Sequence, residues 1–505
     1  MKGEYKFILA KEVGCHSAII TVLYVLSFVF CFASCKKLVN VNTPDNRIAG
    51  SSVYSSDATA TAVLTGLYTK LSSYSYGTSI TLPTISMWAG LSADEFNLWT
   101  TASNAGVGPL AYYKNALFTG SSSSAGTEFW TNIYPLIYSC NAAIEGLNVS
   151  HALTPAVKQQ LLGESKFMRA FFYFYLINLY GDAPLVLTTD YTINTSLARF
   201  PKGQVYQQII VDLTDAQNLL NSNYVEADAI TSRTNTERVR PNKYVATALL
   251  ARVYLYTGDW VNAENQANIL INNSSTFGLS SLNNTFLKYS LGNKEAIWQF
   301  QPVTTGIITN TAEAAAFILP YAPAGLGLSH PVYLSSALLN SFEMGDLRKV
   351  NGNWINVYAD VTGTYYYPYK YKVAINGTNI TPTEYNTIFR LGEQYLIRAE
   401  ARAKQGNLSG ATLDIDTIRH RAGLLSTTAT TQSTILTAIM HERQVELFSE
   451  FGHRWLDLKR TGTVDAVMGT ATVNKGGIWN TSQQLYPIPM SDLQKDPNLS
   501  QNVGY

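Results

Sequence analysis

The segment Phe171–Ile177, with the sequence FFYFYLI, is apolar on every side when it is placed on a helix. It lies in the second half of a longer stretch, Val157–Tyr180, that has helical character throughout. A helix that is apolar all round must be buried on every side. We therefore predict one long helix at the centre of the core. Gly181-Asp-Ala-Pro184 should end it, because proline cannot continue a helix and disfavours helical backbone just before itself.

Helical periodicity also dominates the rest of the chain. Ala58–Leu71 and Phe129–Leu147 carry apolar residues at the spacing of one helix face. Tyr256–Ala263 and Lys404–Ala411 share a Gly, a large apolar residue two positions later and an Ala five positions later. In helical hairpins of the tetratricopeptide kind, that Gly permits the tight turn and that Ala lets the next helix approach closely. The fold class predicted is mainly α, with such helix pairs as a scaffold inside a larger domain.

Long stretches with little helical character separate these helices. Loops of that length in a compact protein are usually functional or disordered. Two segments within them, Glu295–Phe300 and Tyr365–Val373, are predicted to be short strands. The stretches are 96–126, 273–335, 350–388 and 466–485.

The N-terminus has the features of a secretory signal. Three lysines precede a low-polarity run from Ala18 to Ser34. Small residues then stand directly before Cys35, which resembles the bacterial lipobox. We predict a signal peptide over 1–34, a diacylated Cys35, and a lipidated tether over 35–52. An uncleaved membrane anchor is the alternative, because the run is nearly long enough to span a bilayer.

Charge and cysteine content narrow the function further. The whole chain has 36 basic and 35 acidic residues, and three basic and two acidic residues leave with the signal. The mature chain therefore keeps 33 basic and 33 acidic residues. That balance excludes a nucleic-acid binder that works through bulk positive charge, and it offers no polybasic membrane patch. Cys140 is the one cysteine of the mature chain besides Cys35. It lies in an apolar helical pattern, which predicts a buried, inert thiol and no internal disulfide.

The sequence lacks the local signatures of most catalytic sites. It contains no phosphate loop, no Gly-x-Gly-x-x-Gly and no Gly-x-Ser-x-Gly. His441-Glu442 begins like a zinc-protease helix, but Val445 stands where the second histidine is needed. We predict no catalytic residue, no cofactor and no protein-held metal site, although loop-bound calcium would leave no spacing signal and stays open.

A glycoside hydrolase, which needs only two carboxylates at a set separation, is the best enzyme alternative. Asp94-Glu95 is one candidate pair, and the column Glu442, Glu446 and Glu450 on one helix face is the other. Like charges in such a column repel unless cations answer them. Arginines are available, so an ion network between packed helices is the simpler interpretation. The candidate cations are Arg390, Arg398, Arg402 and Arg454.

The same charged residues belong to a longer series of motifs. The C-terminal part carries Glu442-Arg-x-x-Glu446-Leu-x-x-Glu450-Phe-Gly452-x-Arg454-Trp455-x-Asp457-Leu458-x-Arg460, then Tyr486-Pro-Ile-Pro489 and Asp496-Pro-Asn-Leu-x-Gln501-Asn502-x-Gly504-Tyr505. Earlier segments are Trp130-x3-Tyr134-x6-Asn141, Gly163-Glu164-x4-Arg169-Ala170-x2-Tyr173-x7-Gly181-Asp182-x-Pro184 and Tyr395-Leu-Ile-Arg398-Ala-Glu400-Ala. In this order and with the lipobox, the chain resembles the SusD/RagB outer-membrane lipoproteins of Bacteroidetes.

The resemblance implies a fold and a role. The fold would be a SusD-like domain over 53–505, with an N-terminal part to about 235 and a C-terminal RagB/SusD part from about 236. The role would be non-catalytic binding of an oligosaccharide or polysaccharide at the cell surface and its delivery to a SusC-like TonB-dependent transporter. The protein would sit on the outer membrane by its lipid anchor alone, facing the exterior. Peptide or glycoprotein cargo remains the alternative within the family.

Loop aromatics are the candidate ligand contacts. An aromatic ring offers a complementary face to the C–H groups of a sugar ring, and neighbouring polar side chains fix its orientation. Core positions are predicted instead for Trp130, Trp260, Trp298 and Trp455, which lie in periodic or motif contexts. Tyr365-Tyr-Tyr is a further candidate that an edge strand explains equally well. The ligand-binding candidates are Trp99, Tyr112, Tyr321, Trp354 and Tyr358, with Asn97 and Asn104 as polar partners.

Overall fold

The computed structural model describes residues 50–72, 84–99, 107–303, 310–323, 330–373 and 381–505. Two compact units divide at Val53. Of the first, only helix α1 (Gly50–Val53) is described. The predicted signal, tether and Cys35 lie outside the described residues, apart from the tether's last positions. The second unit, Tyr54–Tyr505, contains every other element.

The elements of the second unit are mainly helices. In the N-terminal part they are α2 (Asp57–Ser72), α3 (Ile85–Ser92), α4 (Val107–Tyr113), α5 (Glu128–Val149), α6 (Pro155–Tyr180), α7 (Tyr191–Asn194) and α8 (Lys202–Leu219). They continue with α9 (Lys243–Thr257), α10 (Trp260–Ile271), α11 (Ala312–Phe317), α12 (Ser336–Ser341), α13 (Leu391–Lys404), α14 (Leu408–Arg421), α15 (Gln432–Glu446), α16 (His453–Arg460), α17 (Val464–Asn474) and α18 (Met490–Lys495). The strands are β1 (Phe96–Leu98), β2 (Ala296–Phe300), β3 (Val332–Leu334), β4 (Ile355–Asp360), β5 (Gly363–Pro368) and β6 (Asn386–Arg390).

Helix α6 is the central helix that the sequence predicts. Every residue from Phe167 to Tyr180 is buried. The helix packs against α5 and α8. The ring of Phe171 meets that of Trp298 edge-on, with centroids 5.2 Å apart. The helix ends at Tyr180 as expected, and Gly181 follows with φ +77°.

Both predicted helix pairs form, and their turns have the expected geometry. Gly258 ends α9 with φ +76°, and Gly406 lies between α13 and α14 with φ +85°. These backbone angles favour glycine, because a side chain there meets its own backbone. Ala263 and Ala411 are fully buried, which lets the paired helices approach closely.

The two helix pairs are neighbours in space although they are far apart in the sequence. Helix α10 packs against α13. The shared core contains Ala251 and Leu255 of α9, Ala263 and Ala267 of α10, and Ile397 and Ala401 of α13. Helix α15 extends the stack by packing Ile435 and Ile439 against α13 and α14. The pairs therefore form one helical layer.

The described strands form three antiparallel two-stranded sheets: β1 with β3, β2 with β6, and β4 with β5. The predicted strand Glu295–Phe300 is confirmed as β2. The predicted strand Tyr365–Val373 is confirmed in part, because β5 begins at Gly363 and ends at Pro368. The expectation for 466–485 is wrong over its first half, since α17 extends to Asn474. There Val464, Met468 and Thr472 bury one helix face at a spacing of four residues.

The carboxylates Glu442, Glu446 and Glu450, which we call the α15 column, lie in a buried ion network, as the simpler interpretation predicts. The prediction that all three share one helix face is wrong, because α15 ends at Glu446 and Glu450 lies in a turn where Ser449 and Phe451 have positive φ. Arg348 donates to Glu442 at 2.6 Å and to Glu446 at 2.9 Å. Arg390 donates to Glu446 at 2.5 Å and to Glu450 at 2.7 Å. Breaking any of these pairs would leave an isolated buried charge, which is very costly. The pairs therefore hold β6 and the loop at Arg348 against α15 and the turn after it.

Of the four arginines that the sequence analysis proposed as partners of these carboxylates, only one belongs to the network. Arg390 is a member, but Arg398 bonds to Asp414 at 2.9 Å and Arg402 bonds to Glu264 at 2.8 Å. Arg454 bonds to Asp94 instead. Arg398 and Arg402 lie on α13, and their partners lie on α14 and α10, not in the α15 column.

The predicted core residues are largely where the sequence places them. Trp130, Trp298 and Trp455 are buried, while Trp260 is half-buried against the α9–α10 pair. Cys140 is a buried free thiol, and its burial raises its pKa. A thiol that stays protonated is a poor nucleophile.

Candidate functional site

Six aromatic side chains from separate parts of the chain meet at the edge of β3. Four of them are half-buried, and the rings of Tyr365 and Tyr367 lie beneath at 6% and 5% exposure. Leu319 supports them from below. We call these six residues the aromatic surface: Trp99, Tyr333, Tyr358, Tyr365, Tyr367 and Tyr369.

The β4–β5 hairpin places three of its four tyrosines, Tyr358, Tyr365 and Tyr367, on one face. Tyr358 is directly opposite Tyr365, and Asn356 is directly opposite Tyr367. Successive strand residues point to opposite faces, so these four side chains share one side. Asp360 closes the turn by accepting a hydrogen bond from the N–H of Thr362 at 2.7 Å. The hairpin therefore places these aromatic rings on one side through local strand pairing alone.

The β1–β3 pair brings the remaining rings to that face. Asn97 is paired with Tyr333, and the backbone N–H of Trp99 donates to the carbonyl of Pro331 at 2.8 Å. Trp99 meets Tyr365 edge-on with centroids 5.7 Å apart, and Tyr333 does so at 5.3 Å. Edge-to-face contacts of this kind are favourable. Tyr365 is thus the ring on which two neighbours rest.

Polar groups lie beside the rings. The hydroxyl of Tyr113 donates to Oδ1 of Asn97 at 3.4 Å. Burial raises the pKa of Tyr113 and of Tyr333, which outweighs the opposing hydrogen bonds. Both hydroxyls therefore stay protonated at neutral pH and can donate as well as accept hydrogen bonds. The site combines apolar ring faces with neutral polar groups.

The structure brings four of the predicted residues to this region. Trp99 and Tyr358 belong to the aromatic surface, and Asn97 lies in β1 beside it. Tyr321 is 42% exposed and meets His330 edge-on at 5.3 Å, two residues after Leu319 of the supporting cluster. Asn104 lies outside the described residues.

Two predicted contacts are core residues instead. Tyr112 is fully buried between Trp88 and Tyr486, and its hydroxyl donates to Glu128 at 2.8 Å. Trp354 is fully buried, and its indole N–H donates to the carbonyl of Leu282 at 2.8 Å. Neither ring can reach a ligand in this arrangement. The sequence places them in loops, but α4 and the turn before β4 direct them inward.

Sequence reasoning missed Tyr333, Tyr369 and Asn356. The hairpin had a signal, because 363–368 contains three consecutive tyrosines, a residue type enriched in strands, and it follows the Asp360–Gly363 turn. Tyr333 had none, since a three-residue strand is too short for a periodic pattern. Its position follows from pairing with β1, which is a long-range contact.

The candidate glycosidase carboxylates are engaged inside the protein. Asp94 accepts two hydrogen bonds from Arg454, both at 2.7 Å. Glu95 is buried, accepts from the N–H of Ser449 at 3.2 Å, and burial raises its pKa to about 8. A raised carboxyl pKa suits a general acid only where substrate can reach it. These carboxylates serve the packing of α3 and β1 against α16 and the turn before it.

Two kinds of feature are absent from the described ranges. Within those ranges, no three His, Cys, Asp or Glu side chains are grouped as a metal would need. No helix in the same part of the chain is both long and apolar enough to cross a bilayer.

Two family models match parts of this chain. Residues 290–505 match the model of the SusD family, and residues 104–255 match a model described as starch-binding associating with outer membrane. SusD-like protein P2 of Formosa agariphila is 26% identical over 92% of this chain and 95% of its own.

Solved structures share the fold. A SusD superfamily protein from Bacteroides vulgatus superposes with a TM-score of 0.69 at 21% identity, over 90% of this chain and all of its own. A laminarin binding SusD-like protein superposes with a TM-score of 0.67 at 22% identity, over 88% of this chain and 99% of its own. The fold is therefore the mainly α, SusD-like one that the motifs predict. The chain belongs to the SusD/RagB family.

Proposed function

We propose that this protein is a non-catalytic receptor for glycan chains at the outer membrane, and that it passes them to a SusC-like TonB-dependent transporter. The observation that carries the proposal is the aromatic surface, a set of packed and half-exposed rings on a SusD-family chain. Trp99 and Tyr358 are the members that we expect to contact the ligand, because both rings are accessible. Trp99 packs on Tyr365, and Tyr358 lies opposite Tyr365 in the same hairpin.

The chemistry of this surface suits sugars. Sugar rings have flat C–H faces that pack on aromatic rings, and each packed ring buries a large area. The side chains of Asn97 and Asn356 supply neutral donors and acceptors for sugar hydroxyls. Support also comes from relatives, since one matched family model is described as starch-binding and one structural neighbour as laminarin binding.

Absence of catalysis is part of the proposal. The carboxylates most suited to glycosidase chemistry, Asp94, Glu95 and the α15 column, are bonded to arginines or backbone groups in the interior. Two acids facing each other across an open cleft would be needed for hydrolysis. We expect the protein to bind oligosaccharides without releasing products.

Attachment through Cys35 completes the proposed role. Two acyl chains hold a protein stably on a membrane. Replacing Cys35 with Ala should move the protein from the membrane fraction to the soluble fraction. External protease should degrade the wild type on intact cells if it faces the exterior, and affinity purification from membranes should recover a TonB-dependent transporter.

A binding panel tests the ligand class. The purified protein is run through native gels that contain neutral or acidic polysaccharides, with a peptide mixture tested by retention on the immobilised protein. The proposal predicts retardation by at least one glycan and no change in the glycan's chain length. Retention of peptides with no glycan bound would replace glycan with peptide cargo, and product release by the protein would contradict the non-catalytic role.

A further inference from the structure

A separate polar hollow of about 490 Å³ lies between the segments 222–244 and 276–289. It shares no lining residue with the aromatic surface. Its volume falls in the range of about 300–1,000 Å³ that is usual for small-ligand sites. We call it the Arg238 pocket.

The lining of the Arg238 pocket carries positive charge. Two arginines, Arg233 and Arg238, and three tyrosines, Tyr224, Tyr244 and Tyr289, are joined there by Ser, Thr and Asn side chains. Among the described residues that line it, none is Asp or Glu. A lining of hydroxyls, rings and two guanidinium groups suits a sugar that bears an anionic group.

Arg238 is unusual among this protein's buried arginines. It is 1% exposed, yet its terminal nitrogens donate to backbone carbonyls, those of Thr276 at 2.7 Å and Lys294 at 3.2 Å. Its Nε has no partner among the described residues. Arg240, two positions later, shows the ordinary arrangement and donates to Glu164 at 2.9 Å. Buried charges are normally paired with an opposite charge, whereas Arg238 donates only to carbonyls, including that of Ala296, and so keeps its net positive charge at the pocket. One carboxylate outside the lining, that of Glu226, accepts a hydrogen bond from the lining residue Thr236 at 2.9 Å.

Aromatic rings surround this guanidinium. The ring of Tyr289 lies 4.1 Å from its central carbon, that of Phe277 4.9 Å and that of Tyr224 5.4 Å. These cation–π contacts stabilise the charge without neutralising it. Tyr289 is half-buried and lines the pocket, while Arg233 is exposed at its rim. Arg233 can therefore contact a ligand directly, and Arg238 acts through its field.

We propose that the Arg238 pocket binds an anionic sugar unit, either carboxylated or sulfated, as a second site for acidic chains. This rests on the proposed function in taking the cargo to be a glycan. Both anions present paired oxygens to a guanidinium fork, so Arg233 suits either. The acidic unit of a glycan would be held in the Arg238 pocket. Any neutral units of the glycan would be bound separately, at the aromatic surface.

Calorimetric titration of the purified protein separates the two sites. The probes are an oligogalacturonate, a sulfated galacto-oligosaccharide and a neutral gluco-oligosaccharide of similar length. Arg238 is left intact, because it holds backbone carbonyls and its loss would disturb the fold. The variants are Arg233→Gln, Tyr289→Ala and Trp99→Ala, with Lys495→Gln as a matched charge control on α18.

The proposal predicts that one acidic probe binds, and that Arg233→Gln weakens it about three- to tenfold while Lys495→Gln leaves it unchanged. Tyr289→Ala should weaken binding of the acidic probe by a similar factor. The thermal unfolding midpoint of this variant is measured in parallel to show that it is folded. Binding should also weaken as salt rises from about 50 to 500 mM, because ions screen the exposed guanidinium. Which acidic probe binds tells carboxylate from sulfate.

Three results would overturn the proposal: no acidic probe binds, Arg233→Gln and Lys495→Gln behave alike, or Trp99→Ala abolishes acidic and neutral binding together. Failure of the glycan receptor role itself has a different outcome. In that case no probe, neutral or acidic, binds to any folded variant. Acidic binding that persists in Trp99→Ala supports the second site independently of the first.

Discussion

Trp99 and Tyr365 meet edge-on, with ring centroids 5.7 Å apart and ring planes at 81°. One follows strand β1 and the other lies in β5, so the contact joins distant parts of the chain. Tyr333 holds Tyr365 in the same way from β3. Rings that are already packed lose little conformational freedom when a ligand arrives, which favours binding.

Tyr358 tests the hairpin's part in that surface. Its ring is accessible and stands opposite Tyr365, so Tyr358→Ala should weaken glycan binding by about 1–2 kcal/mol through lost ring contact. Tyr358→Phe keeps the ring and should retain most of the affinity. Tyr191→Ala removes a 74% exposed tyrosine from α7 and should have no effect. Equal loss in the Ala and Phe variants, measured by calorimetry, would show that the hydroxyl and not the ring matters.

Arg390 tests the buried ion network. Arg390→Met leaves Glu446 and Glu450 without one of their shared cations, and removing one partner of a buried pair costs about 3–5 kcal/mol. The control is Lys166→Gln, which breaks a partly exposed pair with Asp215 and should cost about 1 kcal/mol or less. Urea unfolding of both variants provides the comparison. Similar losses in the two would mean that the network's burial contributes little.

Glu313 should make stability fall as the pH rises. Its carboxyl accepts from the hydroxyl of Ser86 at 2.6 Å, and burial raises its pKa from 4.5 to about 8. Between those values the folded protein binds a proton that the unfolded chain has lost. The stabilisation is therefore complete below pH 4.5 and is lost as the pH rises through 8.

Glu313→Gln removes that titration while an amide oxygen can still accept from Ser86. We expect the free energy of unfolding of the variant to fall less steeply between pH 4.5 and 8 than that of the wild type. Glu95 has a similarly raised pKa, so some slope remains. Chemical denaturation across this range gives both slopes, and identical slopes would mean that Glu313 is ionised in the folded protein at neutral pH.

Gly406 tests the turn of the second helix pair. A Cβ there would meet open space, but φ is +85°, so Gly406→Ala should cost about 1–2 kcal/mol through backbone strain alone. Gly66 also faces open space, but it lies within helix α2, where alanine is preferred by about 0.5–1 kcal/mol. Thermal unfolding should therefore shift in opposite directions for Gly406→Ala and Gly66→Ala. A shift of the same sign in both would contradict the role given to the turn.

Features that depend on local periodicity could be predicted from the sequence. The all-apolar segment at Phe171 is enough to place α6 in the core, and Gly258 with Ala263 is enough to place a helix pair. The α15 carboxylates are also predictable, because a like-charged column requires cations.

Features that depend on long-range pairing could not be predicted. Arg348 joins the α15 network from a distant loop, and α10 meets α13 only once the intervening chain has folded. Loop assignment marks where an aromatic residue is, but not where its ring points. Trp99 and Trp354 are therefore alike in sequence, although one is accessible and the other is buried under Lys370. The direction is set by neighbours that are remote along the chain.

The most direct test of the receptor role compares two tryptophans. A neutral glycan that retards the wild type is titrated calorimetrically into Trp99→Ala and into Trp260→Ala, which removes a half-buried tryptophan from the helix-pair layer. We predict that Trp99→Ala weakens binding at least tenfold, whereas Trp260→Ala binds as the wild type does, with both variants folded by circular dichroism. Unchanged affinity in folded Trp99→Ala would contradict the assignment of the aromatic surface as the glycan site.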